Sequence, residues 1–356
     1  MKHLLLSLIG LLFISMLFAQ ETPLRIPKKL VSPQLDGALN DSVWKLATSF
    51  PFTEFAPNWK SPDSLTRMYL SFDDRNLYVA IRALEPNPKK IVNRSLIRDR
   101  WYGDDYLSFH IDPNRSRKRG FIFSVFPAGS KIDIAVSNDA IPLGNATFND
   151  AYDMIWRAQT RISDSGWVAE MAIPISNLRF EPNENGIVRA GISGLRSQNY
   201  LNKRSTWPTL PREATNAIES PSLKREVIFE GLTPRRQLQV APYALGGTNR
   251  TTTDRSLTRE LGLDMRLGLS SKLTLDLSFN TDFAQVEIDD QVVNIGNRVN
   301  IFLPEKRRFF QEQAGLFDFS LGFLSQLFYS RTIGVNNGQL TPILGGGRLT
   351  GEIGGV

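Results

Sequence analysis

The chain has 356 residues, no cysteine, two histidines and a formal net charge of +6. Without cysteine it can hold no disulfide, thiolate nucleophile or cysteine-ligated metal, and His3 and His110 alone cannot build a histidine cluster. The charge is mild and scattered: the basic clusters at 115–119, 235–236 and 306–308 read as solvated loops, and no nucleic-acid partner is expected.

Residues 1–19 read as a secretory signal peptide. Lys2 and His3 make a short polar start, and 4–18 carry no charge. The run is too short for a membrane span of about 20 residues. Ala19 is the small residue expected before a cut, and Gln20 rather than a lipid-accepting cysteine comes next. The protein is therefore expected to be exported. Loss of Lys2 leaves 41 basic residues against 36 acidic ones, a net of +5.

Past the signal peptide the chain is a series of short alternating runs divided by Gly, Pro, Asn and Asp. This is the pattern of strands and turns, and no helix is expected. Met68, Leu70 and Phe72 share a face, and Leu77, Val79, Ile81 and Ala83 repeat it beyond the turn Asp73-Asp74-Arg75-Asn76. Leu107, Phe109 and Ile111 do the same, then Phe121, Phe123 and Val125, then Ile132, Ile134 and Val136, then Trp167, Ala169, Met171 and Ile173. This spacing predicts a β-sandwich over 28–230. Residues 223–234 read as its last strand and a linker.

Beyond 235 the pattern becomes stricter. Leu261, Leu263, Met265, Leu267 and Leu269 alternate with Gly262, Asp264, Arg266 and Gly268. Ser270 and Ser271 read as a tight turn, after which Leu273, Leu275, Leu277 and Phe279 alternate with Thr274, Asp276 and Ser278. A transmembrane β-strand needs about 9–11 residues with one apolar and one polar face. An amphipathic hairpin of a soluble sheet shows the same alternation. The signal peptide and the Gly-rich end at 345–355 tilt the reading toward a barrel. The fold class expected is all-β, an N-terminal sandwich plus the first strands of an outer-membrane β-barrel over 236–356. Leu261, Leu263, Leu267, Leu275 and Leu277 would face lipid, and Asp264, Arg266, Asp276 and Ser278 the lumen.

Four segments resemble family 9 carbohydrate-binding modules. They are Leu35-Asp36-Gly37-Ala38-Leu39-Asn40-Asp41-Ser42-Val43-Trp44; the strand pair 73–83; Gly103-Asp104-Asp105 running on to Ile111-Asp112-Pro113; and Gly166-Trp167-Val168-Ala169-Glu170-Met171-Ala172-Ile173-Pro174. They stand in the family's order. The second part is similar to the β-barrel domain of unknown function that follows such modules, through 282–287, 302–310 and 328–334. Members of that family run on through more strands, and a closed barrel needs at least eight. Only four to six are legible here, so a C-terminally truncated member is expected.

The resemblance implies carbohydrate binding, with calcium as the one cofactor to be expected, in a structural role. Sugar binding needs exposed aromatic faces for the pyranose ring and planar polar groups for its hydroxyls. Trp44, Trp156 and Trp167 sit inside strand motifs and read as core. Trp59, Trp101 and Trp207 lie in polar, loop-like stretches, and Arg98 and Arg100 precede Trp101-Tyr102. The candidate carbohydrate-binding residues are Trp101, Tyr102, Trp207, Arg98 and Trp59, although a loop aromatic that seals a sandwich edge would look the same. No catalytic residue is assigned. His110 is alone, and the doublets Asp73-Asp74 and Asp104-Asp105 are poor acid/base pairs, because neighbouring strand residues face opposite ways.

The expected function is a non-catalytic carbohydrate-binding domain on an outer-membrane barrel, serving polysaccharide capture or uptake. Its partners would be a polysaccharide or oligosaccharide and outer-membrane lipid, with the sandwich in the periplasm or at the cell surface. Two alternatives stand beside it. One is a component of a xylanase-like enzyme hydrolysing O-glycosyl bonds in carbohydrate catabolism. The other is a structural barrel protein whose sandwich no longer binds sugar.

Overall fold

The computed structural model describes residues 23–141, 147–150, 152–216, 218–250, 255–270, 273–280, 308–311, 328, 330–336, 339–341 and 343–351. The signal peptide, the 282–287 segment and most of 302–310 lie outside them.

Thirteen strands build the first unit: β1 (Leu24–Pro27), β2 (Thr48–Ala56), β3 (Pro62–Phe72), β4 (Asn76–Leu84), β5 (Tyr106–Asp112), β6 (Gly120–Val125), β7 (Lys131–Val136), β8 (Phe148–Asn149), β9 (Arg157–Ser163), β10 (Gly166–Pro174), β11 (Val188–Gln198), β12 (Lys203–Trp207) and β13 (Arg225–Glu230). They pair in the order β8-β7-β6-β5-β11-β12-β2-β3-β4-β10-β9, while β13 joins β11 to β1. The path folds into two leaves, linked where β12 meets β2 at a register shift beside Arg204 and Ser205.

Alternation fixes the packing between the leaves. Leu70, Phe72, Val79 and Ile81 from one leaf meet Leu107, Phe109, Phe123, Ile192 and Phe229 from the other in one buried cluster. Each such side chain contributes about 1.5–3 kcal/mol by leaving water. Gly194 is required at its site: a Cβ there would stand 2.6 Å from the Phe52 ring. Trp44, Trp156 and Trp167 are buried as expected, but only Trp167 sits in a strand: Trp44 lies in a short helix and Trp156 just before β9.

Several expectations need correction. The sandwich starts before residue 28, because β1 pairs in parallel with β13, Leu24 opposite Val227. Two single-turn helices occur in it where none is expected, α1 (Ser42–Lys45) and α2 (Ile175–Leu178). Strands β2, β9, β11 and β12 are not among the runs read from the sequence, although Phe50 and Phe52 mark one face of β2. Strand β9, Arg157–Ser163, is an edge strand whose core-side face offers only Ala158, Thr160 and Ile162, and β11 carries Gly and Ser inside the core.

Among the described residues the second unit is a four-stranded antiparallel sheet, β14 (Leu238–Arg250), β15 (Arg255–Gly268), β16 (Leu273–Phe279) and β19 (Gly345–Gly351), with the short pair β17 (Val335–Asn336) and β18 (Gln339–Leu340) apart from it. Its register aligns Gln239, Arg266, Asp276 and Arg348 in one row across all four strands. Arg266 Nε lies 2.9 Å from Asp276 Oδ1, and Arg348 Nη2 lies 3.5 Å from Asp276 Oδ2. A third short helix, α3 (Arg308–Gln311), sets the Phe309 ring 5.4 Å from the Arg348 guanidinium.

The polarity of this sheet is inverted relative to the sandwich. Thr274, Asp276, Ser278 and Thr350 are buried, whereas Leu238, Val240, Leu257, Leu261, Phe279 and Leu349 on the opposite face are exposed, Leu261 to 75 %. Among the described residues no helix is long and apolar enough to cross a membrane.

Candidate functional site

Three of the five candidate residues, Arg98, Trp101 and Tyr102, lie on the loop 91–105, which leads into β5. Two adjacent carboxylates fold it. Asp104 Oδ1 accepts the Arg94 N–H at 2.5 Å, and Asp105 Oδ1 accepts the Asn199 N–H at 2.7 Å. Both are buried, and burial raises Asp105 to about 6. Asn199 also donates through its side chain to the Gly103 carbonyl.

At the C-terminal end of the loop, Trp101 is 47 % exposed and Tyr102 48 %. The Trp101 ring is propped edge-to-face against Tyr106, with centroids 5.1 Å apart, and against the fully buried Phe126 at 5.3 Å. An indole fixed on one side and open to water on the other suits stacking against the apolar face of a sugar.

Trp59 lies toward the same side, in a cluster with Phe55, Leu195, Leu210 and Tyr106. Its Nε1 donates to the Leu210 carbonyl at 2.9 Å, and Lys60 Nζ sits 4.2 Å from its ring centroid. Both its polar handle and one ring contact are thus engaged within the chain. Trp207 turns the other way. It pairs with Gly194, packs against the main core and lies 4.3 Å from Phe50, so the structure does not bring it beside Trp101.

Arg98 is drawn away from Trp101. Its Nη2 donates to Asp133 at 2.7 Å, Asp153 at 2.5 Å and the Met154 carbonyl at 3.3 Å, while Nε stands 3.2 Å from Asp99. Burial alone would lower its pKa, but the charges of Asp133 and Asp153 hold it above the ordinary value. One guanidinium faces three carboxylates, and Asp99 rises to about 6 through burial and the neighbouring Asp133 and Asp153 charges, against the pull of Arg98. The sequence could not show this, because the partners lie 35 and 55 positions away.

Calcium, implied by the family resemblance, needs six to eight oxygen ligands. Among the described residues no group of three His, Asp or Glu is arranged for a metal, and the Asp99–Asp133–Asp153 set is centred on a guanidinium. The residues described do not fit that ion, and no step depends on it.

The carboxylate doublets are also tied up. Asp73 takes the Ser32 and Tyr78 hydroxyls and the Arg75 and Asn76 amides, which hold its pKa below the ordinary value although burial opposes them. His110 is buried, and burial together with the Lys224 charge keeps it well below the ordinary pKa, hence neutral.

Fold and site together define an all-β protein with a two-leaved sandwich, an exposed aromatic pair on one loop and an attached sheet of inverted polarity. Residues 233–342 match the family described as a domain of unknown function (DUF5916). Two structures of a family 9 carbohydrate-binding module from Caldicellulosiruptor kristjanssonii, in complex with cellotriose and with glucose, are similar at 18 % and 17 % identity. Each covers 59 % of this chain, with 95 % and 98 % of the module covered, at a TM-score of 0.41. A putative carbohydrate-binding protein from Bacteroides uniformis is similar at 13 % identity and a TM-score of 0.43, over 59 % of this chain and 100 % of that one. Likenesses this distant assign no role to any residue. No curated protein is matched.

Proposed function

We propose that the chain is a non-catalytic glycan-binding sandwich carried by an outer-membrane β-barrel. The observation that carries the binding half is the Trp101–Tyr102 pair. Two large aromatic side chains are about half exposed on a loop that is otherwise closed by Asp104, Asp105 and Asn199, so the platform is presented in a fixed place. The inverted sheet supports the membrane half. An apolar outer face over a charged, covered face is the arrangement that a strand needs between lipid and lumen.

A reading as a glycoside hydrolase would need two carboxyl groups facing a common sugar. Asp104 and Asp105 instead face backbone amides, and Asp73 is saturated with donors. The test is calorimetric titration of the detergent-solubilised chain with cello- and xylo-oligosaccharides, alongside an assay for reducing sugar. Binding without sugar release is expected. Sugar release from polymer would replace this reading with the enzymatic one, and silence across the oligosaccharides would leave the sandwich a structural part.

A further inference from the structure

The two ends of the second sheet carry different connections. Strands β15 and β16 are joined by 269–272, where the Leu269 and Ser270 N–H groups both donate to the Leu273 carbonyl, at 2.9 and 3.1 Å, and close a tight turn. Among the strands described, the opposite end carries two connections. One, 251–254, is equally short, and the other is the long stretch 280–344. The long one leaves and returns at that end, because β16 and β19 are antiparallel neighbours and the Asn280 N–H donates to the Leu344 carbonyl at 3.0 Å. Part of it folds back over the polar face: α3 lies within it, and the Phe310 carbonyl accepts Arg348 Nη1 at 3.3 Å.

The sandwich is attached at the end with the tight turn. Its strand β13 stops at Glu230 and β14 begins at Leu238. The linker 231–237 reaches at most about 25 Å. Strand β14 has 13 residues and is about 43 Å long, so the linker cannot carry the sandwich round to the far end. The exit is also fixed. Gln237 is buried, its carbonyl accepts the Gly268 N–H at 2.7 Å, and its side-chain oxygen accepts Arg179 Nε at 3.2 Å, which ties the end of β15 to the C-terminal end of α2. Tyr152 and Asp153 of the sandwich line a cavity of about 30 Å³ with Gln239, Arg266 and Asp276, close to the same turn.

Outer-membrane barrels turn their short connections toward the periplasm and their longer loops outward, and such loops or a helix can fold into the interior. We propose that the sandwich lies on the periplasmic side of the outer membrane, so that Trp101 and Tyr102 meet glycan inside that membrane and not at the cell surface. This rests on the outer-membrane reading of the sheet. The decision between the two sides comes from 280–344, since the remaining connections are short at both ends. A polymer too large to cross the membrane is then out of the sandwich's reach.

Because the chain lacks cysteine, single cysteines can mark the two sides: Ser165→Cys on the exposed β9–β10 turn of the sandwich, and Thr252→Cys in the connection 251–254. Cells producing the full chain would be treated with a maleimide on a polyethylene glycol chain too large to pass a pore, before and after the outer membrane is opened. Labelling is read as a gel shift, with the denatured chain as the control for reactivity, and the membranes are fractionated in parallel. The expected result is a chain in the outer-membrane fraction that is labelled at 252 on intact cells and at 165 only once the membrane is opened. Labelling at 165 on intact cells overturns the proposal and leaves the membrane reading standing. Protection of 252 on intact cells, with the chain in the outer-membrane fraction, also overturns it, because the far end then does not face outward. Recovery of the chain outside the outer-membrane fraction overturns both readings.

Discussion

Trp44 Nε1 donates to Glu170 Oε1 at 2.7 Å, joining two motifs 126 positions apart. The other carboxylate oxygen of Glu170 accepts the Gly37 N–H at 2.6 Å and the Asp36 N–H at 2.8 Å. The segment before α1 is thereby strapped across the outer faces of β4 and β10, over Tyr78, Ala80 and Ala172. Gly37 has φ +75°, and a Cβ there would lie 2.6 Å from the Arg161 Cβ, so only glycine passes this crossing unstrained.

Glu170→Ala leaves three donors without an acceptor. It is expected to cost about 3 kcal/mol, several of the ~1 kcal/mol increments typical of lost bonds to a buried partner. Trp44→Phe, which removes one donor and keeps the ring, should cost about 1 kcal/mol. Urea unfolding followed by tryptophan fluorescence or circular dichroism reads both. Equal losses in the two variants would mean that ring packing, not the carboxylate, holds the strap.

Lys224 supplies a pH prediction. Its Nζ is buried and donates to the Glu219 and Ser220 carbonyls at 3.0 and 3.5 Å; burial lowers its pKa to about 7, although Glu219, Asp112 and Asp139 oppose this. The ordinary value is 10.5. Between these pH values the unfolded chain binds more protons than the folded one, so stability rises with pH. The rise should reach a few kcal/mol, at most about 1.4 kcal/mol for each tenfold loss of proton affinity on folding. His110 faces the same space and stays neutral throughout. Asp99 and Asp105 act in the opposite sense and in another window. Their folded values of about 6 against 3.8 mean that stability falls as pH rises between those two values. Lys224→Met should flatten the alkaline limb alone. An unchanged limb in that variant would show that another group produces it.

Trp101 and Trp207 are expected to separate binding from folding. Trp101→Ala removes two edge contacts of about 0.5–1.5 kcal/mol each and a half-exposed surface. It should weaken glycan binding at least tenfold while costing about 1 kcal/mol of stability. Trp207→Ala opens space beside Phe50 and should cost about 3 kcal/mol with affinity retained. Calorimetry paired with unfolding curves distinguishes the two, and loss of affinity in Trp207→Ala alone would move the site to the other side of β12.

How much of this is legible in the sequence depends on the range of the interaction. Alternation is local, so β3, β4, β5, β6, β7 and β10 emerge directly from their apolar faces, and so do Leu70, Phe109 and Ile173 as core. Strand β11 hides because Gly191, Gly194, Arg196 and Gln198 interrupt the apolar pattern. Arg196 is buried with Glu85 at 3.4 Å and Thr66 at 2.9 Å, partners more than a hundred positions away. The orientation of Trp207 follows from its register with Gly194, which no local pattern carries. The position of Arg98 is decided by Asp133 and Asp153, so a planar cation beside Trp101 in the sequence becomes a brace for the loop tip in space.

The last prediction concerns the two faces of the second sheet. The row Gln239–Arg266–Asp276–Arg348 places two arginines on either side of one carboxylate, on a face where Asp276 is buried and Ser278 donates to Asp264 at 2.6 Å. The opposite face offers Leu261, Leu263, Leu267, Leu275 and Leu277, together with Val240, Phe279 and Leu349, and none of these positions is polar. In water this arrangement is unfavourable, since the apolar face gains nothing by exposure. In a bilayer it is the favourable one, because an Arg or Lys on the lipid face near the midplane costs about 2–4 kcal/mol and backbone groups must all be paired within a closed sheet. Leu275→Arg should therefore reduce recovery of folded chain in outer-membrane vesicles strongly, and Leu275→Val should not. Single cysteines at 261 and 267 should react with lipid-soluble maleimides, and those at 264 and 266 with water-soluble ones. Preferential lipid-phase labelling at 266 over 267 would show the faces to be reversed, and water-phase labelling at all four would return the sheet to the soluble side of the protein.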